Sequence, residues 1–155
     1  MKRIALFALM MLLAASTALA QGKFVTDFKG IPFGKDLSEV ERMAPTENRG
    51  EVKLYKRYAD DRTFQGLPLK ELHYGFFQNK FCLAMFSTQG PSAYNTLKAY
   101  FDSNYGPARQ HTVNVKRFDY TAGEVGIQLA YNDNTKIAEV SYLYLPITRQ
   151  FMPKQ

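Results

Sequence analysis

The stretch Phe28-Lys29-Gly30-Ile31-Pro32-Phe33-Gly34-Lys35-Asp36-Leu37-Ser38-Glu39-Val40 decides how the rest of the chain is divided. Gly30 and Gly34 permit backbone angles that other residues avoid, and Pro32 fixes one more. The segment therefore reads as a strand end, a tight turn and a helix start. Asp36 is placed to accept from the first free helical N–H groups, and Glu39 to reach back, which is a capping box. Leu37, Val40 and Met43 or Ala44 fall on one helical face. Pro45 then disfavours helical angles at Ala44. The spacing predicts a first helix over Leu37–Ala44. The glycine spacing is wrong for a phosphate loop, and no Lys-Ser/Thr pair follows.

Working outward, Val52–Tyr58, Leu69–Phe77 and Phe81–Thr88 read as strands, the last two joined by a tight turn at Gln78-Asn79. Gly90-Pro91 opens a second helix with proline at its tolerated first position. Tyr94, Leu97, Phe101 and Tyr105 form the apolar stripe of that helix, and Gly106-Pro107 ends it. Three more strands follow over Val113–Tyr120, Glu124–Tyr131 and Lys136–Leu145. Their turns are Thr121-Ala122-Gly123 and Asn132-Asp133-Asn134-Thr135. The order is helix, three strands, helix, three strands, with weak repeats over about 28–88 and 90–146. The expected fold is α+β: tandem helix-plus-three-strand units forming one antiparallel sheet, with both helices packed on one face.

Ahead of this lies an address. Lys2 and Arg3 precede an apolar run from Ile4 to Leu13, and Ala18-Leu19-Ala20 closes it before Gln21. That is the pattern of a secretory signal peptide, cleaved near Ala20. Residues 21–155 then form a single domain, periplasmic or secreted, with no transmembrane segment in the mature chain. Of the 20 basic and 14 acidic side chains, Lys2 and Arg3 leave with the leader, so only a mild positive surplus remains. Export makes nucleic acid an unsuitable partner, whereas an acidic protein surface or anionic lipid headgroups suit such a charge. Cys82 is the only cysteine, so no internal disulfide forms and the fold rests on core burial.

Strand alternation assigns faces. Leu72, Tyr74, Phe76, Phe81, Leu83, Met85, Val125, Ile127, Leu129, Ala138, Val140 and Tyr142 are expected to face the helices. The outer face then carries Lys53, Tyr55, Arg57, His73, Phe77, Cys82, Phe86, Lys116, Phe118 and Tyr120 around a small-residue floor of Gly75, Ala84, Gly126 and Ala130. A basic and aromatic face of this kind suits an interface, because aromatic and arginine side chains carry much of interface energy. The candidate partner-binding residues are Lys53, Tyr55, Arg57, His73, Phe86, Lys116, Phe118 and Tyr120. The alternative is that a loop or the C-terminal tail covers Phe77 and Phe86.

Catalytic signatures are sparse. His73 and Cys82 invite a Cys–His reading, without a third orienting residue. A cysteine in an apolar strand otherwise behaves as a small hydrophobe. Asp60, Asp61 and Asp133 lie in turn contexts that favour aspartate for local hydrogen bonds. No spacing suits zinc, and no cofactor is expected.

The Gly-Ile-Pro-Phe-Gly-x-x-Leu-x-Glu-Val segment at Gly30–Val40, after a signal peptide, resembles the glycine turn and helix start of the small lipoprotein of the outer-membrane barrel-assembly machinery. The tandem plan is similar to that of the β-lactamase inhibitor protein. The chain lacks the lipid-bearing cysteine of the first and the paired cysteines of the second, so no residue role is carried over. The expectation is an exported, non-catalytic binding or accessory protein of the cell envelope that meets a protein partner, possibly acidic, on an open sheet face. The alternatives are a thiol or hydrolytic enzyme using Cys82 and His73, and a structural homodimer.

Overall fold

Gly22 to Met152 are described by a computed structural model, and the leader reading falls on residues outside that range. Two short strands, β1 (Asp27–Phe28) and β2 (Ile31–Pro32), pair around the Lys29-Gly30 turn. Asp36 caps as its sequence context predicts, accepting from Ser38 N at 3.0 Å. The helix it starts is only a 3-10 turn over Leu37–Glu39. Val40 leaves it with extended angles, and Met43–Arg49 becomes strand β3, so the expected first α-helix is not present. An eight-residue helix is marginal by itself because nucleation is costly. Pairing with β4 (Val52–Arg57) supplies backbone partners instead. Pro45, the expected helix stop, sits in β3 beside an irregularity in register between Pro45 and Glu47, on an edge where its missing N–H is tolerated.

A small hairpin, β5 (Thr63–Phe64) and β6 (Leu67–Pro68), precedes β7 (Glu71–Phe77) and β8 (Lys80–Gln89). Helix α1 (Pro91–Tyr105) is followed by β9 (Arg117–Ala122), β10 (Val125–Asn132), β11 (Ile137–Tyr144) and the short helix α2 (Leu145–Thr148). One antiparallel seven-stranded sheet results, in the order β3-β4-β7-β8-β11-β10-β9. The molecule is therefore α+β with a predominantly antiparallel sheet. The helix-plus-three-strand unit occurs once, in the second half.

The two helices lie on opposite faces, not on one. On the first face α1 buries Leu97 and Phe101 against Ile127, Leu129, Val140 and Tyr142. Over the first half of the sheet, the place of the missing helix is taken by the two small hairpins. Phe28 packs on Phe86, Tyr74 and Tyr142, and Phe64 on Phe86, with ring centroids 4.7–6.1 Å apart. On the second face Val52, Leu54, Phe77 and Cys82 form a smaller cluster covered by Ile147 and Phe151. The Phe77 and Phe151 rings lie 4.7 Å apart, tilted by 35°, so the tail covers Phe77.

Two local events set which side chain faces which way. At Gln78-Asn79 both residues have positive φ, giving the tight turn expected there. Three residues on, the register slips: Phe76 pairs with Phe81 but Gly75 pairs with Leu83. This bulge inserts one residue and reverses the alternation of β8. Ala84, Phe86 and Thr88 consequently join the α1 side, while Leu83 and Met85 face outward. Gly75 is required there, since a Cβ would lie 2.8 Å from Leu83 Cβ and 3.0 Å from Val52 Cγ1. In β9 the turn is the two-residue Gly123-Glu124, not the three-residue Thr121-Ala122-Gly123. Ala122 therefore pairs with Val125, Tyr120 with Ile127 and Phe118 with Leu129, which puts all three on the α1 side. A shift of one residue moves a whole strand to the other face.

Candidate functional site

The outer face, opposite α1, is a grid of directly paired residues. One row runs Leu54, Gly75, Leu83, Leu143, Gly126, Thr121. Leu145 of α2 packs over Gly126, and Ile147 and Phe151 over the Leu54 end, so this row is largely roofed. The next row runs His73, Met85, Ser141, Gln128, Asp119. The third runs Glu71, Ser87, Glu139, Ala130, Arg117. Between its end groups the middle row holds only uncharged, half-buried side chains, with Ser87 and Ala130 as small neighbours beside it.

Charged groups rim this strip. Lys56 pairs with Glu71 at 3.2 Å at one end. At the other, Asp119 accepts from Gln128 Nε2 at 3.0 Å and bonds the His111 ring at 2.7 Å. His73 has a side chain only 16 % exposed, with Nε2 3.9 Å from Glu71. Its burial, reinforced by the Lys56 ammonium and opposed by Glu71, holds the imidazole below its ordinary pKa and favours the neutral ring. The rim charges beside the strip are Glu71, Asp119 and Glu139 against Lys56 and Arg117, so the face is not basic. With these charges the outer face offers an acidic partner no excess of cations.

Most of the residues expected on this surface lie elsewhere. Phe86 and Tyr120 are core, 3 % and 4 % exposed, and Tyr120 donates to Asp102 at 2.9 Å. Phe118 lies on the α1 side beneath Lys98, whose ammonium is 4.5 Å from the ring centroid. Lys53, Tyr55 and Arg57 also point to the α1 side: Tyr55 pairs with Tyr74 and packs edge-on against Phe76. Lys116 precedes β9, bonded to Asp133 at 2.8 Å and poised over Tyr131. Of the eight, only His73 sits on the open outer face.

Cys82 is fully buried, and its thiol donates weakly to Gly75 O at 3.6 Å. Burial pushes its pKa up to about 11, the reverse of what a nucleophile needs. With no contact to His73 and no exposure, Cys82 is a packing residue, and the Cys–His reading has no geometric basis. Among the described residues no group of His, Cys, Asp and Glu is gathered for a metal ion, and no helix is long and apolar enough to cross a membrane.

Sequence reasoning missed Met85, Ser141 and Gln128 as neighbours in one row. Gln128 was legible from strand alternation. Met85 was hidden by the bulge at Cys82, and Ser141 gives no signal until its pairing with Met85 is known. Comparison with family models, with curated proteins and with solved structures finds no match to this chain.

Proposed function

We propose that this chain is an exported, non-catalytic accessory protein of the cell envelope that holds a protein partner against the uncovered part of its outer sheet face. The observation that carries the reading is the row His73–Met85–Ser141–Gln128, uncharged and half-buried, with ion-paired and hydrogen-bonded charges at its ends. Interfaces share this anatomy of a charge-depleted centre and a polar rim. Small Ser87, Ser141 and Ala130 let another surface approach the strands closely. The row also crosses the β8–β11 seam near the middle of the seven-stranded sheet. The envelope setting rests on the leader at Lys2–Ala20.

A photo-crosslinking side chain at Ser141, compared with one at Asn95 on exposed α1, tests the reading in intact cells. The expected result is an adduct with a second polypeptide at position 141 only, lost when Met85→Arg is added. An adduct of twice the chain's own mass at 141 identifies the partner as a second copy. Equal labelling at both positions, or none at 141, removes the proposal.

A further inference from the structure

On the opposite, α1 side of the sheet, a cleft of about 240 Å³ opens between the β1–β2 hairpin, the end of the 3-10 turn and the end of β4. Its walls are Gly30, Ile31 and Pro32 on one side, Val40 and Glu41 on another, with Arg57 at the base of β4 and the Lys35–Glu39 pair at the rim. The neighbouring cations are matched: Lys35 pairs with Glu39 at 3.4 Å and Lys29 with Asp61 at 3.6 Å. Arg57 is not. Its guanidinium is half-buried, its Nη1 reaches Lys29 O only at 3.4 Å, and its fully buried Nε has no acceptor among the described residues. The nearby Asp60 is engaged by the Tyr74 hydroxyl. The half-buried guanidinium keeps part of its hydration, so the cost falls on Nε, a buried donor that calls for a partner.

We propose that this cleft binds a carboxylate, with Arg57 as its anchor. A guanidinium presents a planar fork matched to a carboxylate. Glu39 is paired with Lys35, so Glu41 is the wall carboxylate left to oppose an anion, and it opposes a dianion such as phosphate about twice as strongly as a monoanion. Ile31, Pro32 and Val40 are apolar and suit a small hydrocarbon group beside the charge. The volume is below that of pockets for drug-sized ligands and fits about one amino-acid residue. The shared chemistry is an α-carboxylate beside an apolar side chain, either the C-terminal residue of a peptide or a free amino acid. The site is independent of the outer-face row.

The test titrates the whole protein with N-acetyl-leucine, free leucine and N-acetyl-leucinamide, following the Arg57 Nε–H resonance and binding heat. The expected result is saturable binding of N-acetyl-leucine with a Kd on the order of 1 mM, a shift of that resonance, and no binding of the amide. Arg57→Met is expected to weaken binding at least about tenfold. Free leucine binding as tightly as N-acetyl-leucine assigns the carboxylate to a free amino acid, and weaker binding assigns it to a peptide C-terminus. If Arg57→Met does not fold, the wild-type resonance and the amide control still decide. Equal binding of acid and amide, no saturation by tens of millimolar, or an unmoved Arg57 signal overturns the assignment.

Discussion

Replacing Gly75 by alanine tests the bulge that turns β8 over. The new Cβ would stand 2.8 Å from Leu83 Cβ, 3.0 Å from Leu83 Cδ2 and 3.0 Å from Val52 Cγ1. Carbons pack at about 3.5–4.0 Å, so gaps of roughly 0.5–1 Å must be opened on two sides at once. Leu83 Cβ is fixed to its backbone and cannot swing away, and Val52 is stiff at χ1 because it is β-branched. The strands themselves have to part, and overpacking of this kind costs about 1–3 kcal/mol. At about 4 °C per kcal/mol for a domain of this size, the melting temperature should fall by roughly 4–12 °C. Gly126→Ala is the control, since its Cβ would meet the flexible end of Leu145 at 3.4 Å and Leu143 O at an ordinary 4.0 Å. That change should stay within about 1 kcal/mol of wild type. Adding Val52→Ala to Gly75→Ala should cost less than the sum of the two single changes, because one clash is removed. Thermal and guanidinium unfolding of wild type, the three single variants and the double variant measure all of this. If Gly75→Ala melts like wild type, the close approach is not there. The outward direction of Met85 and the inward direction of Phe86 then lose their support.

Three further outcomes follow from the assigned faces. Phe86→Ala should cost about 3–5 kcal/mol in denaturant unfolding, whereas Met85→Ala on the open face should cost less than about 1 kcal/mol, and the reverse order would invert β8. Cys82 should resist an aromatic disulfide reagent in the native protein and react in guanidinium; fast native labelling would show that the cover of Ile147 and Phe151 is open. His73 has a lowered folded-state pKa, so the unfolded chain takes up its proton first and stability falls as pH drops through and below about 6.5. His73→Gln should flatten that part of the stability profile, and an unchanged slope would mean that the imidazole is not desolvated.

The legible part of this fold is the part set by local chemistry. Gly90-Pro91 and Gly106 bracket α1 as read, because cap and breaker act over one turn. The Gln78-Asn79 turn and the inward set Val125, Ile127 and Leu129 were equally readable, since both depend on a few adjacent residues. What failed depended on pairing. Asp36 caps a turn whether or not a helix follows, so the capping pattern at Asp36–Glu39 could not say that Met43–Arg49 would prefer a place beside β4. A single residue decided the rest: Cys82 inserted opposite Phe76, and Ala122 kept in the strand instead of the turn. Each reversed a strand, and together with the opposite phase of β4 they moved six expected surface residues, Lys53, Tyr55, Arg57, Phe86, Phe118 and Tyr120, to the α1 side. The row at Met85, Ser141 and Gln128 comes from three different strands and has no sequence pattern of its own.

Pro45 has a further effect at the rim of the sheet. At the β9 border Arg109 already exchanges backbone bonds with Asp119, and Val25 donates to Ala122 O, so that border is partly occupied. At the β3 border no strand of the described residues lies alongside. A second chain settling there would find no donor at Pro45 and a break in spacing just beyond it, with Glu47 and Arg49 adding charge. Such interruptions discourage edge-to-edge growth of sheets into aggregates. A chain with a single, buried cysteine has no disulfide to lock that border. Protection of that border against fibre-like self-association therefore rests on the imino ring of one proline, the irregular residue after it and the charges of Glu47 and Arg49.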